Sequence, residues 1–247
     1  MIEARGVTKT FPGQHVPVLR GVDLTVPRGC LYGLVGPGAS GKSVLLKALV
    51  GLVAADKGTI RLGGEAVTGV SELSLHRVRA GIGMLFQNNA LFDHLTVGDN
   101  IAFPLRRMGV TDEAELADRV ADRLRAVSLP GFEDRMPSGL SGGQKKRVGV
   151  ARATVTRAPL VLYDEPAAGL DPVTSQKIFE LLRAEQQANQ STVVMVSSDL
   201  DRLVTITDRV GVLYQGRMIF DGTTAEALGS PHPVVDQFIH GKTEGPL

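Results

Sequence analysis

The sequence predicts an α/β fold with a core of parallel strands, and three observations lead to this prediction. Apolar strand-like segments alternate with helical patterns over much of the chain, which is typical of parallel β–α–β units. A glycine-rich loop joins an apolar strand to a helix with one apolar face. A block of about 60 residues, from Thr96 to about Arg157, is mostly helical in character, and we expect it to be an insertion into the core.

The elements before this block are short and rich in β-type patterns. Val18–Val26 alternates apolar and polar residues, as a half-buried strand does. The apolar run Leu31–Val35 ends in the glycine-rich loop, and a helix is predicted over Lys42–Leu52. Gly58–Leu62 and Ile82–Phe86 are predicted as further strands.

The helical block and the last third of the chain complete the alternation. Thr96 can cap a helix that runs towards Arg107, and Pro104 is expected to kink or end that helix. A second helix follows Thr111 over Ala114–Val127. The remaining predictions are helices over Ser141–Arg157 and Pro172–Ala188, and strands at Leu160–Tyr163, Thr192–Ser197, Val210–Tyr214 and Arg217–Phe220.

Composition excludes several classes of protein. The chain has 247 residues, a formal net charge of +1 and 21% charged residues, which suit one large globular domain better than a nucleic-acid-binding or disordered protein. Its single cysteine, Cys30, excludes a disulfide framework or zinc cluster and is expected to be a buried thiol. No run of about 18 apolar residues and no secretory signal are present, so we expect a cytosolic protein or one held at a membrane by a partner.

The glycine-rich loop carries the first chemical motif. Residues 36–43 read GPGASGKS, which is the phosphate-loop pattern G-x-x-x-x-G-K-[ST] between a strand and a helix. The backbone N–H groups of Gly38 to Ser43 can wrap a β-phosphate, Lys42 would reach the β- and γ-phosphates, and the Ser43 hydroxyl would bind Mg²⁺. The loop residues expected to contact the nucleotide are Gly36, Gly38, Ala39, Ser40, Gly41, Lys42 and Ser43.

A rival motif overlaps this loop. Gly36, Gly38 and Gly41 also satisfy G-x-G-x-x-G, the dinucleotide-binding pattern, which requires an acidic residue at the end of the next strand. Asp56 has about the right separation, but it precedes the Gly58–Leu62 strand. The phosphate loop is therefore the favoured interpretation.

Two acidic residues follow the apolar strand that begins at Leu160. Asp164 stands at the carboxyl end of that strand and can hold Mg²⁺ through water. Glu165 comes next and can polarise a water molecule for attack on a phosphate. An acidic pair after a strand is weak evidence by itself, but it is strong evidence beside a phosphate loop.

The motif LSGGQ, at Leu140–Gln144, opens a helix and provides a second anion-binding N-terminus. With these motifs the chain resembles the nucleotide-binding subunits of ABC transporters over essentially its full length. The resemblance implies a P-loop NTPase fold of ABC type, with a mixed or parallel sheet core, an antiparallel β subdomain and an inserted helical subdomain. It implies ATP and Mg²⁺ as cofactors, an ATPase domain over 1–230 with the helical subdomain at about 88–158, and a C-terminal extension over 231–247.

The resemblance also implies roles for single residues. Two subunits would pair head to tail, so that Ser141, Gly142, Gly143 and Gln144 of one subunit act on the nucleotide of the other. Phe11 would stack on adenine, although an ordinary strand phenylalanine is the alternative. Gln87 would be a Mg²⁺ ligand with Ser43 and Asp164, and would link the site to the membrane partner. Asp171, in Gly169-Leu170-Asp171, would lie in the loop that crosses the dimer interface and contribute to nucleotide binding.

One position departs from the family pattern. The family has a histidine after the strand that follows the Asp171 helix, where it donates to the γ-phosphate, whereas this sequence reads Ser197-Ser198-Asp199. Ser198 can donate a hydrogen bond but is shorter and uncharged. Glu165, Gln87, Lys42 and Ser198 are the catalytic candidates. Two hypotheses stay open: a transport ATPase with slow turnover, or a nucleotide-gated regulatory clamp with little hydrolysis.

Local strings resemble one branch of the family, the ATPases of Mla-type or MCE-type lipid transporters. The branch resemblance implies a homodimer at the cytoplasmic face of the inner membrane, bound peripherally under permease subunits. It further implies indirect coupling to an MCE substrate-binding protein, a small STAS-domain partner and transport of phospholipid, while amino-acid importer ATPases share some strings and remain an alternative. The strings are Phe86–Arg107, Met136–Gly143, Gly169–Ser175 and Gln237–Leu247.

Two surface features have competing interpretations. Lys145, Lys146 and Arg147 could indicate nucleic-acid binding, but basic residues on a solvated helix face are common, and no nucleic-acid partner is expected. The apolar tail residues have the spacing of one helix face. We expect them to pack on the partner protomer or an accessory subunit, and the alternative is packing on the chain's own core; the residues are Val234, Val235, Phe238 and Ile239.

Overall fold

The computed structural model describes residues 1–247, which divide into two compact units. The first unit combines Met1–Arg79 with Thr192–Leu247, and the second consists of Ala80–Ser191. The helical insertion predicted at about 88–158 falls within the second unit, while the boundary predicted after residue 230 stays a prediction. None of the helices has both the length and the apolar character that crossing a bilayer requires.

Ten strands and nine helices make up the two units. In chain order the strands are β1 (Ile2–Lys9), β2 (Leu19–Val26), β3 (Leu31–Val35), β4 (Lys57–Leu62), β5 (Glu65–Ala66), β6 (Ile82–Leu85), β7 (Leu160–Asp164), β8 (Thr192–Val196), β9 (Arg209–Tyr214) and β10 (Arg217–Thr223). The helices are α1 (Lys42–Leu49), α2 (Glu72–Ala80), α3 (Val97–Arg107), α4 (Glu113–Ala126), α5 (Gly142–Thr154), α6 (Pro172–Asn189), α7 (Leu200–Ile206), α8 (Thr224–Leu228) and α9 (Pro233–Ile239), with one 3₁₀ turn at Pro137–Gly139.

An antiparallel sheet in the first unit has the order β2-β1-β4-β5. The alternation that predicts β2 is confirmed, since Leu19, Val22 and Leu24 are buried. The sequence does not predict β1, because a bulge at Gly6, with a φ of 59°, shifts the register and breaks the alternation of apolar residues.

The other strands of the first unit have the order β10-β9-β3-β8. β3 pairs in parallel with both β8 and β9, and every residue of β3 and β8 is buried, which explains their continuous apolar runs. α7 packs closely on β3, since a Cβ at Gly33 would lie 3.1 Å from side-chain atoms of Leu203 and Thr207. The mixed α/β class with an antiparallel sheet and parallel strands is confirmed.

The second unit contains the parallel pair β6 and β7 and the helices α3 to α6. Thr96 caps α3 as predicted, by accepting from Asp99 N. The helix runs to Arg107 as predicted, so Pro104 does not end it, and the alternative that Pro104 kinks the helix stays a prediction. Only one turn follows the proline, and the fully buried Leu105 anchors that turn.

Two predicted helices end earlier than their patterns indicate. α1 ends at Leu49 and not at Leu52, because Gly51 turns the chain with a φ of 68°. α5 ends at Thr154 and not at Arg157, where the backbone has a left-handed φ of 50°. Both endings are set by left-handed residues beyond the last helical turn.

The C-terminal tail packs on its own chain. Val234, Val235 and Ile239 of α9 are buried within the first unit, and Phe238 is half-buried. The Gln237 side chain accepts from Leu247 N at 2.8 Å, which fastens the last residues to the same helix. The hypothesis that this apolar face packs on a partner is therefore wrong, because the chain itself covers most of it.

Candidate active site

Backbone conformation shapes the loop between β3 and α1. Gly36 has a φ of 145°, and a Cβ there would overlap the carbonyl oxygen of Leu213. Gly41 has a φ of 105°, and its Cβ position lies 3.1 Å from the carbonyl oxygen of Val18. Ala39 adopts a left-handed φ of 58°, which costs an L-residue roughly 1–2 kcal/mol. The tight path of this loop therefore requires glycine at two of its motif positions.

Lys42 lies against the carbonyl groups of its own loop. Its Nζ donates to the oxygen of Gly36 at 2.7 Å and to that of Pro37 at 2.8 Å. The first hydrogen bond of α1 runs from Leu45 N to Gly41 O at 2.8 Å, so the amides before Leu45 belong to the open N-terminal end of the helix. An ammonium group beside a helix N-terminus forms a site for a phosphate.

A cleft of about 390 Å³ adjoins this loop in the first unit. Phe11 and Val18 line one part of it, and residues from Ala39 to Val44 line the other. Phe11 is half-buried, and Lys9 Nζ lies 5.6 Å from the centre of its ring. The cleft therefore places the ring of Phe11 near a loop that has the geometry to bind phosphate.

Asp56 has a structural role that explains its position. Its carboxylate accepts from Lys9 Nζ at 2.8 Å and from Thr10 N at 2.6 Å, and these hydrogen bonds hold the pKa of Asp56 below its ordinary value. The residue joins the end of β1 to the start of β4. It is therefore not placed as the ribose-binding acid that the rival dinucleotide pattern requires.

The acidic pair of the second unit lies at the end of β7. Asp164 is 2% exposed, and Glu165 is half-buried with a left-handed φ of 55°. Such a conformation is unfavourable for a residue with a side chain, and it occurs preferentially at functional sites. The chain turns sharply there, with Ala168 N donating to Glu165 O at 3.4 Å.

Gln87 lies two residues beyond the end of β6. Its carbonyl oxygen accepts from Lys146 Nζ at 2.7 Å. Lys146 lies on α5 and is 4% exposed. Burial lowers the pKa of Lys146, and the negative charges of Glu165 and Asp164 act in the opposite direction. Lys146 therefore binds the backbone of Gln87 and also interacts electrostatically with Asp164 and Glu165.

The LSGGQ motif forms the N-terminus of α5. Ser141 Oγ accepts from Gln144 N at 3.2 Å, and Gln144 Oε1 accepts from Ser141 N at 2.9 Å, which is a capping box. Gln144 therefore holds the helix end. Gly142 is exposed, with no heavy atom within 4 Å of a Cβ built on it, and Gly143 lies beside Leu170. The exposed backbone at Gly142 leaves room for close approach by another molecule.

Asp171 caps α6 in the structure. Its Oδ1 accepts from Val173 N at 3.0 Å and from Thr174 N at 2.9 Å. Hydrogen bonds from Thr174 hold the pKa of Asp171 below its ordinary value. The side chain is exposed, so Asp171 fixes the start of α6 at the surface of the second unit.

Ser198 lies in the connection between β8 and α7 of the first unit. Ser197 Oγ accepts from Asp199 N at 3.1 Å, and Asp199 caps α7 by accepting from Arg202 N. Ser198 lines a groove of about 610 Å³ together with Leu228, Ile239 and His240, whereas other residues line the cleft around Phe11.

Two of the three basic residues after the LSGGQ motif donate hydrogen bonds to backbone carbonyl groups of the second unit. Lys146 donates to Gln87 O, and Arg147 donates to the carbonyl oxygens of Val127 and Ser128 at 3.1 and 2.9 Å. Lys145 is half-buried. These residues therefore do not form the open cationic surface that binding to a nucleic-acid backbone requires.

Comparison with known proteins identifies the family. A family model described as ABC transporter matches residues 19–168. This chain belongs to the ABC transporter family. The match covers the phosphate loop, the LSGGQ motif and the acidic pair, and the chain is an ABC-type ATPase whose nucleotide is ATP.

Three relatives show the range of names within the family. The probable ribonucleotide transport ATP-binding protein mkl of Mycobacterium tuberculosis is 37% identical over 246 residues, covering 100% of this chain and 68% of that protein. Protein trigalactosyldiacylglycerol 3 of Arabidopsis thaliana is 36% identical over 264 residues, covering 100% and 75%. The methionine import ATP-binding protein MetN of Bordetella pertussis is 38% identical over 250 residues, covering 100% and 69%.

A solved structure supports the fold and the reaction. A dimeric ATP-binding cassette in a post-hydrolysis state, bound to ADP and Pi, aligns with a TM-score of 0.86 and 29% identity, covering 91% of this chain and 99% of that one. A second dimeric structure of the same bacterial transporter cassette aligns equally well. The ABC ATPase fold is confirmed.

Sequence reasoning missed the structural use of two cations on α5. The sequence places Lys146 only on a solvated helix face and gives no role to Arg152. In the structure the guanidinium of Arg152 donates to the carbonyl oxygens of Asn89 and Ala90. A signal was present, since Gly149 stands three residues from both Lys146 and Arg152, and residues three apart are neighbours on a helix surface. The pattern alone does not reveal that the segment after Gln87 covers this face.

Proposed function

We propose that this ABC ATPase powers the transport of a lipid, as the nucleotide-binding subunit of an Mla-type or MCE-type system with phospholipid as its cargo. The observation that carries the proposal is the match of the whole chain to a relative that is named after a glycolipid, trigalactosyldiacylglycerol. The strings Phe86–Arg107 and Gln237–Leu247 support it through their resemblance to this branch. Membrane permease subunits are part of the proposal, since the chain belongs to the ABC transporter family.

The proposed chemistry is hydrolysis of the bond to the γ-phosphate. Lys42 and the amides at the start of α1 bind the phosphates, and Phe11 stacks on adenine. Glu165 accepts a hydrogen bond from the attacking water and orients it. Gln87 contributes to positioning beside the metal. These side chains act mainly by position and charge, which is how phosphoryl transfer is catalysed in general.

The donors available for Mg²⁺ fit that ion. We propose Ser43, Asp164 and Gln87 as ligands from their chemistry alone, since they carry a hydroxyl, a carboxylate and an amide oxygen and Mg²⁺ prefers oxygen ligands. No group of three or more acidic, histidine or cysteine side chains forms a protein cage for a metal. That donor set suits an ion that completes its shell with phosphate oxygens and water. Bound Mg²⁺ would neutralise charge on the β- and γ-phosphate oxygens.

A head-to-tail homodimer is part of the proposal. The start of α5 supports it, because Ser141 and Gly142 are exposed at the surface of the second unit and Gly143 is half-buried beside them. The dimeric state of the similar cassette supports the same assembly. In this arrangement the three residues contact the γ-phosphate held by the phosphate loop of the partner subunit, and Asp171 orders the loop that crosses the interface.

The rate of ATP hydrolysis that we expect depends on Ser198, which stands where the family pattern has a histidine. Loss of one positioned donor costs about 10²–10³ in rate, and a serine hydroxyl can recover part of this through a water. We therefore propose slow turnover that depends on Glu165. A regulatory clamp with little hydrolysis is the second interpretation of Ser198, and the strained Glu165 at the end of β7 argues against it.

The proposed partners follow from the same branch of the family. Permease subunits hold the dimer peripherally at the cytoplasmic face of the inner membrane, an MCE protein carries the lipid, and a small STAS-domain protein binds the ATPase. Methionine or another amino acid is the second candidate cargo, because MetN matches the whole chain at 38% identity.

Co-purification from native membranes tests the proposal. A tagged Glu165→Gln chain is trapped with ATP, the proteins that accompany it are sequenced, and the lipids are identified by mass spectrometry. We expect a permease, an MCE protein and bound phospholipid. Recovery of an amino-acid-binding protein, with ATPase activity stimulated by methionine and not by phospholipid vesicles, would contradict lipid transport. Lys42→Ala is the matched control, since it removes ATP trapping.

A further inference from the structure

One face of α5 lies against the main chain of the segment Gln87–Ala90. Lys146, Gly149 and Arg152 follow one another at intervals of three residues, so they share that face. Lys146 Nζ donates to Gln87 O at 2.7 Å. Arg152 donates to Asn89 O at 2.5 Å and to Ala90 O at 2.8 Å. Two cations of one helix therefore bind three of the four carbonyl groups in the segment.

The segment has a conformation that needs such support. Asn89 and Ala90 are consecutive residues with left-handed φ values of 61° and 50°. Left-handed backbone is unfavourable for residues with a Cβ, and it persists only where the surroundings hold it. The internal hydrogen bonds of the segment are short-range turns, from Asn89 N to Phe86 O and from Ala90 N to Asn88 O.

Gly149 brings the helix close enough for these bonds. A Cβ at this position would lie 2.8 Å from Leu85 Cδ1 and 3.3 Å from Asn89 Cβ. Lys146 is 4% exposed, and burial lowers the pKa of the Arg152 guanidinium, which also lies 5.7 Å from the Phe92 ring centre. Lys146 is buried and Arg152 is half-buried, and a cation removed from water is costly unless it binds oxygen atoms, so the carbonyl groups of the segment stabilise both side chains.

We propose that Lys146 and Arg152 form a main-chain clamp through which α5 positions Gln87 and moves together with it. We call these two residues the α5 clamp. The inference rests on the proposed role of Gln87 in ATP hydrolysis. Because α5 begins at the LSGGQ motif, a displacement of that motif is carried along the helix to the backbone of Gln87. Lys146 and Arg152 are positioning residues in this account, since they act on the reaction only through Gln87.

Lys146→Met in the full chain tests the clamp, because methionine keeps the buried stem and removes the donor. We expect kcat for ATP hydrolysis to fall about tenfold or more, since small misplacements of reacting groups can cost up to about 100-fold. The affinity for ATP, measured by equilibrium titration, should stay within about twofold, because the contacts of Lys146 involve Gln87 and not the phosphate loop. Lys146→Arg keeps a donor and should restore most of kcat.

Arg147→Met is the matched control on the same helix. Arg147 also donates to two carbonyl oxygens, those of Val127 and Ser128, but it does not touch the segment. We expect it to lower the melting temperature while leaving kcat near the parent value. Hydrogen exchange at residues 88–90 should accelerate in Lys146→Met and in Arg152→Met, and should stay unchanged in Arg147→Met.

Two results would overturn the inference, and they can be told apart. Parent-like kcat and exchange in Lys146→Met, together with a lowered melting temperature, would leave Lys146 with a structural role only. Parent-like kcat in Gln87→Ala would instead overturn the assignment of Gln87, and with it the clamp as a device for catalysis. A low kcat in both Gln87→Ala and Lys146→Met, with a normal control, supports the inference.

Discussion

The phosphate loop of the first unit and the Gln87–Ala90 segment of the second unit are held in place in different ways. The loop is held by its own residues, since Lys42 binds the carbonyl groups of Gly36 and Pro37 and the bends lie at glycines. The segment after Gln87 is held from outside, by side chains of α5 that are about 60 residues away in sequence. A local motif therefore predicts the conformation of the first region, although distant residues such as Leu213 also pack against it. The conformation of the second region follows only from the tertiary structure.

The largest effect is expected at the first region. Lys42→Ala should reduce the affinity for ATP about 100-fold or more, because charge-assisted hydrogen bonds contribute about 1.5–3 kcal/mol each. Equilibrium titration with a fluorescent ATP analogue measures the loss. Thermal unfolding without nucleotide is the control: we expect an intact fold with a somewhat lower melting temperature, because the hydrogen bonds from Lys42 to Gly36 and Pro37 are lost. An affinity equal to that of the parent would mean that Lys42 does not bind phosphate.

Gly36→Ala tests whether the loop is held by its backbone. A Cβ would overlap the carbonyl oxygen of Leu213 at a φ of 145°, so we expect the free energy of unfolding to fall by about 2–4 kcal/mol. Gly38→Ala is the matched control, since its Cβ would meet no heavy atom within 4 Å, and it should change stability by less than about 1 kcal/mol. Urea unfolding of both variants measures the difference. Equal stability of the two would contradict a strained loop.

The smallest effect is expected at Ser198. Ser198→Ala should lower kcat several-fold, since a neutral hydrogen bond contributes about 0.5–1.5 kcal/mol. Ser198→His should raise kcat if the ring fits, because it restores the longer donor of the family pattern. A steady-state ATPase assay of the assembled transporter compares both with the parent. Fast parental turnover that Ser198→Ala leaves unchanged would remove this position from the chemistry, and no parental turnover would favour the regulatory clamp.

The sequence predicts the elements that carry local signals. The strands β3 and β8 are continuous apolar runs, and α3 begins after the predicted cap Thr96. The helices α5 and α6 begin within one residue of their predicted starts, Ser141 and Pro172. The phosphate loop and the acidic pair follow from motifs, because backbone geometry and charge are encoded in adjacent residues. β1 escapes prediction because the bulge at Gly6 interrupts its alternation.

What the sequence does not predict depends on contacts between distant residues. Nothing local indicates that Val234, Val235 and Ile239 pack on their own chain and not on a partner, because an apolar helix face is the same in both cases. The burial of Lys146 is similar, since its neighbours in sequence are charged and its partner, Gln87, lies 59 positions away. Such placements follow only from the packed structure.

The most direct test of the account is Glu165→Gln in the full chain with saturating ATP and Mg²⁺. The first unit carries the phosphate loop and the second carries Glu165. A change at Glu165 should therefore impair ATP hydrolysis without impairing ATP binding. We expect ATP affinity near that of the parent, kcat lowered about 10²–10³-fold, and an ATP-dependent dimer by light scattering. Undiminished turnover, or loss of ATP binding in this variant, would contradict the account.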